Sequence, residues 1–145
     1  MLTDRNDVET NWTSLCGTVL QGGYQLEELL EADENMARYR VRVLGDGSID
    51  AVGLFYRASG LAGAEQVATW QSVRELGSAN LNAPLSAGST QLGTIELIYV
   101  VSRRPDEALK AVIRERALGA EEAVELLSSI TRALSDLHTH GFVHG

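Results

Sequence analysis

Met36-Ala37-Arg38-Tyr39-Arg40-Val41-Arg42-Val43-Leu44-Gly45-Asp46-Gly47-Ser48-Ile49-Asp50-Ala51-Val52-Gly53-Leu54-Phe55-Tyr56-Arg57 is the stretch that decides the fold. Its first half alternates. Tyr39, Val41 and Val43 fall on one side and Arg38, Arg40 and Arg42 on the other, the period of a half-buried strand. Gly45-Asp46-Gly47-Ser48 is a tight hairpin connection. Ile49 to Arg57, rich in apolar and aromatic residues, is the returning strand. The chain is therefore expected to build an antiparallel meander here.

On the N-terminal side, Leu15 to Leu20 is a short apolar stretch closed by the turn signal Gly22-Gly23. Trp12 and Leu15 are expected to tie the polar opening segment to the core. Tyr24 to Leu30 suits strand or helix, because Leu26, Leu29 and Leu30 fit either period. On the C-terminal side, Ser59 to Gly63 is small and reads as flexible. Glu65 to Leu76 reads as a helix with Val67, Trp70, Val73 and Leu76 on one face, and Gly77 stops it. Leu81 to Leu92 is turn-rich with one short strand, and Thr94 to Val101 is a buried strand. Pro105 opens a helix to about Arg116. A longer helix runs from Ala120 to about Thr139, with Glu121, Glu122 and Glu125 near its positive end. This order is an α+β arrangement.

Three local matches make that order resemble a known family. Gly17-Thr18-Val19-Leu20 followed by Tyr24-Gln25-Leu26-Glu27-Glu28-Leu29-Leu30 resembles the lead-in and first strand of bacterial protein kinases. Leu76-Gly77-Ser78-Ala79-Asn80-Leu81 resembles the His-Pro-Asn turn after the sheet-packed helix. Ala133-Leu134-Ser135-Asp136-Leu137-His138-Thr139-His140-Gly141-Phe142-Val143-His144 resembles the helix leading into the catalytic loop, with His144 as the His of His-Arg-Asp. Residues 17 to 145 thus resemble a eukaryotic-type Ser/Thr protein kinase. The resemblance implies a small lobe, a five-stranded antiparallel sheet with one packed helix, followed by two helices of an incomplete large lobe. The implied division is an N-terminal extension over 1–16, the small lobe over 17–101 and the helical start of the large lobe over 102–145.

The same resemblance exposes what is missing. A kinase cradles ATP phosphates with a glycine loop whose backbone N–H groups approach closely. The matching stretch, Glu31-Ala32-Asp33-Glu34-Asn35-Met36-Ala37, has no glycine and three carboxylates. Like charges about 4 Å apart cost about 1 kcal/mol in water and about 4 in a partly shielded site. The stretch reads as a solvated acidic hairpin tip, with Glu31, Asp33 and Met36 at degenerate nucleotide positions. The third-strand Lys that should pair with phosphate and with a helix Glu matches Gly53, and the Glu matches Thr69. Glu65 and Glu75, on either side, read as solvated helix face. The chain has one lysine, Lys110, beyond the last strand. Arg40 and Arg57 are nearby cations, but arginine is no equivalent. His144 is followed by Gly145, where Arg is usual. No catalytic residue, cofactor or metal is therefore expected. His138, His140 and His144 read as helix-end polar residues rather than a metal site, and Ser14, Cys16, Ser128 and Ser129 have no base at a meaningful spacing.

Bulk composition narrows the partners. The net charge of −8 repels nucleic-acid phosphate and anionic membranes, and no basic run offsets it. Cys16 is the only cysteine, so no intrachain disulfide forms, and it reads as a small half-buried apolar residue. Met1 to Val8 has no apolar core of a secretory signal. A cytoplasmic location follows as the expectation. The stripe Val124, Leu127, Ile130, Leu134 and Leu137 needs a cover: its own small lobe, or a second chain in a homodimer through residues 105 to 140. The leading expectation is a pseudokinase, a regulatory module acting by protein binding. The alternatives are a fragment of an active Ser/Thr kinase, and a sensor holding a small apolar ligand in the interlobe cleft between Leu30, Ala51, Gly53 and Tyr99 to Val101.

Overall fold

The computed structural model describes residues 11–58 and 60–143. A 3-10 turn, Trp12–Leu15, leads into β1 (Val19–Leu20), β2 (Tyr24–Ala32), β3 (Met36–Val43) and β4 (Asp50–Arg57). Helix α1 (Gly60–Glu75) follows, then β5 (Pro84–Leu92), β6 (Ile95–Arg103), α2 (Leu109–Glu115) and α3 (Ala120–Thr139). The strands form one antiparallel sheet in the order β1-β2-β3-β4-β6-β5. The class is α+β, but among the described residues the sheet has six strands where the sequence suggested five. The extra strand is the two-residue β1, which pairs Val19 with Gln25 and Leu20 with Tyr24 across the Gly22-Gly23 turn. Both glycines sit at positive φ, which makes that turn tight.

The β3–β4 hairpin follows its alternation. Ala37, Tyr39 and Val41 pair with Phe55, Gly53 and Ala51 on one face, and Arg38, Arg40 and Arg42 pair with Leu54, Val52 and Asp50 on the other. In the turn, Asp46 Oδ1 accepts from the Ser48 backbone N–H at 3.1 Å and from its hydroxyl at 2.5 Å. The sheet curls until β2 meets the far edge strand β5, where the Tyr24 hydroxyl donates to the Leu85 carbonyl at 3.3 Å. The inside of the curl is the core. Leu26, Tyr39, Phe55, Leu97 and Val101 are fully buried there. Phe55 stands edge-on to Tyr39 at 5.1 Å and stacks on Tyr99 at 5.5 Å. Gly88 makes room for that stack, since a Cβ at 88 would lie 2.8 Å from the Tyr99 hydroxyl oxygen.

The opening turn is part of this core. Trp12 and Leu15 are buried. The Trp12 indole N–H donates to the Asp33 carbonyl at 2.8 Å, and the Tyr39 hydroxyl donates to the Trp12 carbonyl at 2.5 Å. Burial, reinforced by the nearby Cys16, pushes the Tyr39 phenol above its ordinary pKa, so it stays a donor.

Helix α1 covers the outer face. Its Trp70 ring lies 6.1 Å from Tyr56, and a Cβ at Gly63 would meet Ala58 and Ile98. The helix begins at Gly60, so most of the stretch read as flexible is its first turn. Helix α2 begins at Leu109, not at Pro105. The Arg104 N–H still donates to the Asp50 carbonyl at 2.9 Å, so sheet pairing runs up to the proline and leaves the helix to start later. Among the described residues no helix is long and apolar enough to cross a membrane.

Candidate functional site

The β2–β3 hairpin, the outer face of β4 and the inner face of α1 make up the candidate site. At the hairpin tip Glu31 to Asn35 are exposed and Met36 is half-buried. The Asp33 carboxylate accepts from the backbone N–H groups of Asn35 at 2.8 Å and Met36 at 2.9 Å. The Asp33 N–H donates to the Met36 carbonyl at 2.9 Å. A hairpin tip holds an anion by turning its amides outward. Here two of those amides are already satisfied by a carboxylate of the same tip. Among the described residues every positive φ belongs to a glycine, and none lies between Glu31 and Ala37. The tip is a closed acidic turn.

Gly53 and Thr69 are not brought together. A Cβ at Gly53 would meet Phe55 at 3.1 Å, Val41 at 3.2 Å and Val101 at 3.8 Å, all inside the curl. Helix α1 lies on the opposite face. Thr69 is exposed, and its hydroxyl donates back to the Glu65 carbonyl at 3.0 Å. A lysine meant to reach α1 would have to project from Val52, Leu54 or Tyr56. Leu54 is the telling position, because Arg38 stands directly opposite it on β3. Arg38 is half-buried and makes no ion pair among the described residues, whereas Arg40 and Arg42 pair with Glu28 and Glu27. The sequence reading passed over Arg38. The period-two pattern of β3 placed it on the outer face, and only the hairpin register puts it across from Leu54.

The residues expected to line an apolar cleft are packed. Ala51 and Val101 are fully buried and Tyr99 nearly so, all inside the curl. Leu30 is 37% exposed at the surface. A shallow groove of about 400 Å³ lies instead on the α1 side, between Tyr56, Gln66, Trp70 and Ile98.

Two segments far apart in sequence do meet. Asp136 of α3 accepts a hydrogen bond from the Ser78 hydroxyl and one from the Asn80 side-chain amide, the latter at 3.5 Å. The Ser78 bond, then the Asn80 bond, hold the Asp136 carboxyl below its ordinary value of 3.8. A group depressed on folding contributes stability above its unfolded value and loses it as pH falls through the folded one. The docking of α3 on the α1–β5 loop is therefore expected to be complete above about pH 3.8 and to loosen below it. Asp136→Ala should loosen it at neutral pH, seen as faster amide exchange at Ser78 to Leu81 with no change in the sheet. Unchanged exchange would show that apolar contacts alone hold the helix.

In the interaction stripe, Leu137 is buried and Leu134 half-buried, while Val124, Leu127 and Ile130 are exposed. His138 is exposed, and His140 Nδ1 lies 2.7 Å from the Asp136 carbonyl oxygen. His144 lies outside the described residues. Among the described residues no group of three His, Cys, Asp or Glu is arranged to hold a metal.

No protein-family model matches the chain, and no curated protein matches it. The class is set by architecture alone: among the described residues, a curled six-stranded antiparallel sheet with one helix on its outer face and two helices after it.

Proposed function

We propose that this chain is a protein-kinase-like module without phosphoryl transfer, which acts by binding other proteins. Two features favour the kinase-like half of the reading. Leaving out the short β1, the sheet order β2-β3-β4-β6-β5 with a helix inserted between β4 and β5 matches the five-stranded, one-helix small lobe that the sequence resembles. The turn and the helix that resemble kinase segments also touch, through Asp136 on Ser78 and Asn80.

The observation that carries the inactive half is the hairpin tip. Phosphoryl transfer rests on positioning and on neutralising phosphate charge. This tip spends its amides on Asp33 and presents carboxylates outward. No lysine lies anywhere on the sheet, since the single one is Lys110 of α2. Arg38 supplies one cation beside a row of carboxylates, and one guanidinium does not offset them.

Calorimetric titration with ATP and Mg²⁺ tests the reading. No binding heat is expected up to millimolar nucleotide. Micromolar affinity would overturn it.

A further inference from the structure

Helix α3 is docked by one half only. Its C-terminal half carries buried Leu137 and the Asp136 bonds to the α1–β5 loop. Along the remainder, Val124 and Leu127 are each 63% exposed and Ile130 is 42% exposed. Val124, Leu127 and Thr131 recur at the three- and four-residue spacing of one helix face. With Ser128 and Arg132 they line a groove of about 410 Å³. Ser128 and Thr131 are small, so another helix can approach the groove closely.

The charges beside this groove say which helix fits. Glu125 and Arg132 sit along the same edge, seven residues or about 10.5 Å apart along the axis. They are too far apart to pair with each other, and neither makes an ion pair among the described residues. An identical helix running antiparallel, with a two-fold axis between Ser128 and Ser129, sets each Glu125 level with Arg132 of its partner. The same register sets Leu127 level with Ile130 of the other copy. A parallel copy would set Glu125 against Glu125 and Arg132 against Arg132. In the turns next to the axis the edge is self-complementary in the antiparallel orientation only, as a two-fold interface requires; farther out Glu121 falls level with Asp136 of the other copy, whose carboxylate is taken up by Ser78 and Asn80.

We propose that α3 pairs antiparallel with α3 of a second copy of this chain, about a two-fold axis near Ser128. The proposal goes beyond the inactive-kinase reading and stands whether or not nucleotide binds. The net charge of −8 on each copy opposes approach at long range, but at physiological salt that repulsion is screened beyond about 8 Å.

Sedimentation equilibrium at physiological salt tests it. The wild-type chain should dimerise with rising concentration. Leu127→Asp should weaken the dimer at least about tenfold, as for loss of a central apolar anchor. Because Leu127 is 63% exposed, that variant should keep the wild-type circular dichroism and, at a concentration low enough that both chains are monomeric, the wild-type melting curve. Glu125→Arg alone should also weaken the dimer, and Glu125→Arg combined with Arg132→Glu should restore it. A wild-type chain that stays monomeric at every concentration would overturn the proposal, whether the face is bare or reserved for another protein. So would a dimer that ignores Leu127→Asp, or a charge exchange that fails to rescue.

Discussion

Replacing Phe55 with alanine lowers the free energy of unfolding by about 3–5 kcal/mol. Phe55 is fully buried and belongs to both aromatic contacts of the core, with Tyr39 at 5.1 Å and Tyr99 at 5.5 Å. Removing the ring loses its transfer energy and the aromatic pairing, and leaves a void that the sheet cannot easily close. The walls are fixed in register, with Ala37 and Tyr99 directly opposite Phe55 on the two neighbouring strands. A domain of this size has a total stability of about 5–15 kcal/mol, so the variant should unfold at much lower urea. The measurement is urea unfolding followed by fluorescence of Trp12 and Trp70. Leu61→Ala is the control: Leu61 is 77% exposed, and its loss should stay within about 0.5 kcal/mol. Equal effects from the two substitutions would mean that the inside of the curl is not the core.

The sequence disclosed this core where one sheet face is buried and the other wet. That holds for β3, whose arginines alternate with Tyr39 and Val41, and for the helix whose Val67 and Trp70 face inward. It failed where the physics hides the period. In β2 only Leu26 is fully buried, and register shifts between Leu26 and Glu28 and between Leu29 and Glu31 break the alternation. Strand β5 is nine residues long and mostly small and polar, and it exists because β6 offers an edge and α1 lies over it. Sequence patterning cannot report a strand recruited by its neighbours. The candidate site suffered from the same blindness. Ala51, Val52 and Gly53 are all buried because both faces of β4 are covered, so no alternation shows which of them faces α1. The acidic, glycine-free hairpin tip was legible because it depends on residue types alone.

The orientation of β4 yields the other large effect. Gly53→Lys should leave the chain mostly unfolded, whereas Leu54→Lys should fold. At Gly53 the new side chain would meet Phe55 and Val41 at 3.1 and 3.2 Å from its first carbon. Overpacking of that kind costs about 1–3 kcal/mol. An unpaired ammonium inside the curl adds about 3–5 kcal/mol, or is neutralised at similar expense. Together these approach the whole stability of the domain. At Leu54 the side chain is half-buried on the outer face and can carry its ammonium along the surface to water. Circular dichroism of the two purified variants separates the outcomes, and equal tolerance would show that Gly53 does not point inward. Leu54→Lys also bears on function, because it places an ammonium on the face covered by α1. It should still bind no ATP, since Asp33 continues to hold the amides of Asn35 and Met36. Recovery of nucleotide affinity from that one substitution would mean that the missing cation, and not the closed acidic hairpin, is what keeps phosphate out.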